Sequence, residues 1–172
     1  MFKARKEYRC DRCGKRISKG ENYYRFKLTR FSPVQIRCLD CKPKPSEMTT
    51  SEFLSQVYEI EERIGELANY EIGEIEDVIG ELEDIISELE NLRDETEEKL
   101  YNLPEQFQDG DVGMLLQERI DSLETMIEEL EDYKSRLEDL AEDIGEGEIE
   151  EDIKEEFELI IDEVSSISYE GS

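Results

Sequence analysis

Cys10-Asp11-Arg12-Cys13 and, 24 residues later, Cys38-Leu39-Asp40-Cys41 hold all four cysteines of a 172-residue chain that contains no histidine. Cys-x-x-Cys spacing lets two thiolates meet one tetrahedral ion at about 2.3 Å from each sulfur. Two such pairs complete the coordination of a structural zinc and leave no soft ligand spare. Cys10, Cys13, Cys38 and Cys41 are therefore the expected ligands and Zn2+ the expected cofactor. Two disulfides would need an oxidising compartment, and a redox-active pair would need a βαβ context that the flanking sequence lacks.

Between the cysteine pairs the residues from Tyr24 to Thr29 alternate. Tyr24, Phe26 and Leu28 fall on one side and Arg25, Lys27 and Thr29 on the other. Arg30 to Pro33 reads as a turn, and the return strand sets Val34 and Ile36 against Gln35 and Arg37 before it reaches Cys38. The expectation is a β-hairpin whose apolar side covers the zinc site and whose outer side displays Arg25, Lys27 and Arg37 as a contact face for a partner or nucleic acid. About 45 residues bury too little apolar surface to fold alone, so the metal must supply much of the folding free energy.

Cys10-x-x-Cys13-Gly14, then Ile17, then Gly20-Glu21 with an aromatic at Tyr23 or Tyr24, then the second Cys-x-x-Cys, resembles treble-clef and zinc-ribbon modules. The resemblance covers roughly a quarter of the chain. It implies a scaffold rather than a function, because such modules bind DNA, RNA or proteins. A treble clef starts a helix at its second cysteine pair, whereas Lys42-Pro43-Lys44-Pro45 disfavours one here, so a ribbon-like two-knuckle form is the other option.

Charge divides the chain at the same place. Residues 1–45 carry 14 Lys and Arg against 4 Asp and Glu, net +10, and residues 46–172 carry 7 against 44, net −37. A basic head on an acidic body implies different partners for the two parts, or contact between them within or between chains. The expected domains are thus a four-cysteine zinc-binding module at 1–45 and an acidic helical domain at 46–172. Thr50 or Ser51 is the candidate cap for the first helix.

From Leu54 onward apolar residues recur three or four apart: Val57, Ile60, Ile64, Leu67, then Ile72, Ile75, Ile79, Leu82, Ile86, Leu89, Leu92, and on to Leu100 and Leu103. The phase slips between Leu67 and Ile72, which fits either one bent helix or two consecutive ones. Pro104 to Gly113 is the turn. Leu116, Ile120, Leu123, Ile127, Leu130, Tyr133, Leu137, Leu140 and Ile144 mark a second long stripe, with Leu116, Leu123, Leu130 and Leu137 as its packing seam. After Gly145-Glu146-Gly147, a third stripe runs from Ile149 to about Tyr169. The fold class is mostly α, a zinc-stapled β-hairpin head followed by an antiparallel helical hairpin or coiled coil with a third helix alongside.

Asn102-Leu103-Pro104-Glu105 with Leu115-Leu116-Gln117-Glu118-Arg119-Ile120 is similar to segments of small bacteriophage-encoded helical proteins, which implies a viral accessory role in a host cytoplasm and assigns no active site. Met1 to Lys6 leads into no apolar run, and no stretch approaches the ~18 apolar residues of a membrane span, so a soluble cytoplasmic protein is expected. The chain lacks a histidine base, a Gly-x-Ser-x-Gly elbow and a Walker loop, and its paired carboxylates fall on solvated helix faces, so no enzyme is expected. The leading expectation is a zinc-binding interaction or adaptor protein that binds an unidentified protein or associates with itself through its helices. Two others stand beside it: a nucleic-acid mimic built on Glu128-Glu129, Glu131-Asp132 and Glu138-Asp139, and a DNA- or RNA-binding regulator acting through the basic head.

Overall fold

The computed structural model describes residues 1–144 and 151–171. Among these, five short strands precede five α-helices. The strands are β1 (Phe2–Lys3), β2 (Tyr8–Arg9), β3 (Arg16–Ile17), β4 (Asn22–Phe26) and β5 (Gln35–Arg37). The helices are α1 (Glu52–Glu66), α2 (Ile75–Tyr101), α3 (Glu105–Gln108), α4 (Asp111–Asp143) and α5 (Glu151–Ser165). No helix among the described residues is long and apolar enough to cross a membrane. The chain divides into two compact units, Met1–Glu59 and Ile60–Ser172, with the division inside α1 rather than at the proline-rich stretch.

In the N-terminal unit, β1, β4 and β5 form an antiparallel sheet in the order β1-β4-β5, and β2 pairs with β3 in a second, two-stranded ribbon. The β4–β5 hairpin expected from the alternation is present, with Tyr24 opposite Arg37, Arg25 opposite Ile36 and Phe26 opposite Gln35. Directly opposed residues share a face. Arg25 therefore lies on the side of Ile36, and Arg37 lies on the other side with Tyr24. The outer face expected to carry both arginines is thus corrected. Tyr23-Tyr24 gives the strand two aromatic phases, and Tyr23 is the one buried with Ile17, Ala4, Cys10 and Cys38.

The helix a treble clef would begin at the second cysteine pair is replaced by a single 3-10 turn at Leu39–Cys41. The next α-helix waits until Ser51, whose Oγ accepts the Leu54 N–H at 3.3 Å and so caps α1.

In the helical unit, the phase slip marks a true break. Tyr70 and Glu71 are extended between two 3-10 turns, and Glu71 and Glu74 exchange backbone and side-chain hydrogen bonds in a capping box that starts the run into α2. Two helices form, not one bent one. α2 and α4 pack as the antiparallel pair, and α5 packs on α4 and on the turns at Leu67–Asn69 and Ile72–Glu74. Neighbouring residues are buried together at Val78 and Ile79, Ile85 and Ile86, Met126 and Ile127, and Ile160 and Ile161. Such faces are wider than a two-position coiled-coil seam, as befits helices with more than one neighbour.

The connection at 104–113 is itself partly helical. α3 makes one turn, Gly110 caps α4, and α4 begins five residues before Leu116. A Cβ at Gly113 would lie 1.8 Å from the Gln108 carbonyl oxygen, so only glycine lets α3 fold back this closely. Gly145-Glu146-Gly147 and Ile149 lie outside the described residues, and α5 ends at Ser165, four residues before Tyr169.

Three of the seven cations of this acidic unit stand between helices. Arg63 of α1 reaches Glu81 at 2.7 Å and Glu88 at 2.6 Å on α2. Lys134 of α4 reaches Glu83 of α2 at 2.7 Å, and Arg136 of α4 reaches Glu163 of α5 at 3.1 Å. Each such pair contributes only about 0.2–1 kcal/mol, but at each crossing it also replaces a carboxylate–carboxylate approach that would repel.

Candidate metal centre

Each cysteine pair sits in a tight turn that aims two sulfurs the same way. In the first, Cys10 and Cys13 cap the β2–β3 ribbon: the Cys10 N–H donates to the Lys15 carbonyl and the Gly14 N–H to the Cys10 carbonyl, both at 2.9 Å. Gly14 follows with φ of 72°, a left-handed conformation that a side chain would strain. In the second, the Cys41 N–H donates to the Cys38 carbonyl at 3.1 Å. Asp11 ties the first turn to the strand leading into the second. Its N–H donates to the Ile36 carbonyl at 2.7 Å, and its Oδ2 accepts the Ile36 N–H at 2.6 Å. Lys15 of the first turn and Asp40 of the second add an ion pair at 2.5 Å.

The result is one cluster. The four Sγ atoms all lie within 4.8 Å of one another. Cys13 Sγ and Cys38 Sγ are 3.7 Å apart, against an edge of about 3.8 Å for a tetrahedron with 2.3 Å metal–sulfur bonds. A disulfide would bring two sulfurs to about 2.05 Å, and all four cysteines are free. The donor set and its spacing therefore fit a metal ion, and with four protein ligands such a site is closed, leaving no position for a reacting water.

Electrostatics prepare the sulfurs unequally. Burial pushes the Cys10 thiol up, but the backbone N–H groups of Cys13, Cys38 and Arg12 together outweigh it and lower it from 9.0 to about 6. Cys41 is pushed up to about 12, first by its hydrogen bond with Cys13 and then by burial and the other cysteines. Burial also raises Cys38. Without metal Cys10 ionises readily while Cys38 and Cys41 keep their protons, held up by burial and by hydrogen bonding among the cysteines. A cation placed among them reverses that and displaces the protons.

The other residues singled out from the sequence are not brought together. Arg25 is exposed and Lys27 stands exposed just beyond β4, whereas the Arg37 side chain is only 12% exposed and pairs with Glu47 at 3.0 Å. Leu123, Leu130 and Leu137 are fully buried within their own unit and Leu116 is half-buried. Glu128, Glu129, Glu131, Asp132, Glu138 and Asp139 are all exposed. Sequence reasoning missed Asp11 and Glu47. Glu47 gathers Arg37, Arg12 at 3.8 Å and the Lys44 N–H at 3.1 Å. Its only signal was being the first acidic residue after a basic stretch.

Fold and site together define a mostly helical protein with a small β head and a four-thiolate cluster able to hold a metal ion. No protein-family model, curated protein or solved structure matches the chain.

Proposed function

We propose that this chain is a non-enzymatic zinc-binding interaction protein. In this reading Zn2+ on Cys10, Cys13, Cys38 and Cys41 gives the basic N-terminal unit its shape, and that unit docks a partner. The observation that carries it is the approach of four sulfurs to the separation a tetrahedral thiolate site needs. A structural ion orders the β4–β5 hairpin, and the hairpin together with the strands around it presents exposed Lys3, Arg5, Lys6, Arg9, Arg25, Lys27 and Arg30. Thiolates of this kind persist in a reducing compartment, so the cytoplasm is the proposed location, that of a host if the chain is viral.

Leu123, Leu130 and Leu137 are committed to the chain's own core. The helical unit accordingly acts as a carrier whose seam is closed, and docking falls to the head. Native mass spectrometry of protein purified without chelator should find one zinc per chain. Metal-free protein with four reactive thiols and an unchanged hydrogen-exchange pattern would overturn the reading.

A further inference from the structure

Asn22 to Arg37 contains no Asp or Glu, in a chain with 48 of them. At the apex of this hairpin Phe31 is 92% exposed, the most exposed large hydrophobic side chain among the described residues. The apex is nonetheless ordered. Thr29 and Ser32 clasp one another: the Thr29 N–H donates to Ser32 Oγ at 3.2 Å, the Ser32 N–H donates to Thr29 Oγ1 at 3.1 Å, and the two hydroxyls are 2.7 Å apart. The clasp holds Arg30-Phe31 outward, with the Arg30 guanidinium 6.0 Å from the Phe31 ring centre. Leu28 is exposed beside them, as are Lys27 and Arg25.

We infer that the β4–β5 apex is a binding site for single-stranded nucleic acid, with Phe31 stacking on a base and Arg25, Lys27 and Arg30 meeting phosphates. The inference rests on the docking role proposed for the head and names its partner. Charge complementarity requires an anionic partner, since the hairpin has cations and no carboxylate. The aromatic narrows it further. Phe31 is almost wholly exposed, so an acidic peptide would gain little by burying an apolar anchor against it, whereas a planar base can cover an open ring face. Phosphates along one strand supply the charges that the three cations match. The chain's net charge of −27 works against this electrostatically, and salt at about 0.1 M limits the reach of that repulsion to about 10 Å.

The test is fluorescence anisotropy of the full, metal-loaded chain with labelled oligothymidylate, titrated at several salt concentrations. Binding is expected, about tenfold weaker for Phe31→Ala. Lys27→Gln combined with Arg30→Gln is expected to weaken binding and flatten its salt dependence by about 0.7 of a log unit per lost phosphate contact. Because Phe31 and its neighbours are exposed, metal content and helical signal should be those of the unsubstituted chain. No binding at low salt by zinc-loaded protein overturns the inference and leaves the zinc-dependent fold standing. An oligoglutamate peptide binding more tightly than the oligonucleotide, or binding indifferent to Phe31, likewise overturns it. Loss of zinc from the unsubstituted chain would instead break the reading beneath it.

Discussion

The N-terminal unit closes its core on sulfur, whereas the helical unit closes its core on aliphatic side chains. In the first, Cys10 and Cys38 are two of the five buried residues of the core cluster in the β head, beside Ala4, Ile17 and Tyr23. In the second, Leu82, Ile85, Leu89, Leu123, Leu130 and Leu137 are all fully buried. On the proposed reading, one chain contains a fold conditional on a ligand and a fold conditional only on packing. The β strands of the head are two to five residues long. Such strands gain too little from pairing to hold a sheet unaided, so they depend on what anchors their ends.

That contrast can be broken at each side. The largest effect is expected from Cys38→Ser, which removes a buried ligand: the chain should lose its metal and the folded signals of residues 1–41, while far-ultraviolet circular dichroism keeps the helical signal. Loss of both together would mean that the two units fold as one. Leu130→Ala should act on the other side alone, costing about 2–5 kcal/mol in chemical denaturation of the helical unit, with metal content unchanged. A metal stoichiometry that fell with it would contradict the separation.

Acidification sharpens the contrast by a smaller step. Metal binding needs thiolates, and in the metal-free site Cys41 and Cys38 hold their protons above the ordinary thiol range. Each displaced proton weakens binding about tenfold per unit fall in pH, or about 1.4 kcal/mol. Cys10, lowered to about 6, is already ionised at neutral pH and adds its own proton only as the pH falls through that value. Competition titrations between pH 8 and 5.5 should therefore show affinity falling throughout and more steeply below about 6. A flat profile would contradict thiolate ligation.

Much of this was legible in the sequence, because the informative signals are local and redundant. Cysteine spacing located the cluster, Tyr24 to Arg37 located the hairpin, and the slip between Leu67 and Ile72 located the break between α1 and α2. What escaped was set by partners distant in the chain. The phase of β4 turned on which of two adjacent tyrosines faced inward, and pairing of Phe2 with Tyr23 in a strand not foreseen at the N-terminus accompanies the burial of Tyr23. Arg37 reads as one more surface cation until Glu47, ten residues on, folds back to meet it. Buried Val78 and Ile85 fell outside the narrow stripe because a helix with several neighbours needs a wider face than periodicity alone specifies.

Hydrogen exchange with and without a zinc chelator tests the central claim most directly. The account expects chelation to deprotect the Cys10, Asp11, Gly14 and Ile36 amides, whose hydrogen bonds close and join the two cysteine turns, while the amides of α2 and α4 keep their protection. Unchanged protection in residues 1–41 after the metal is removed would contradict it.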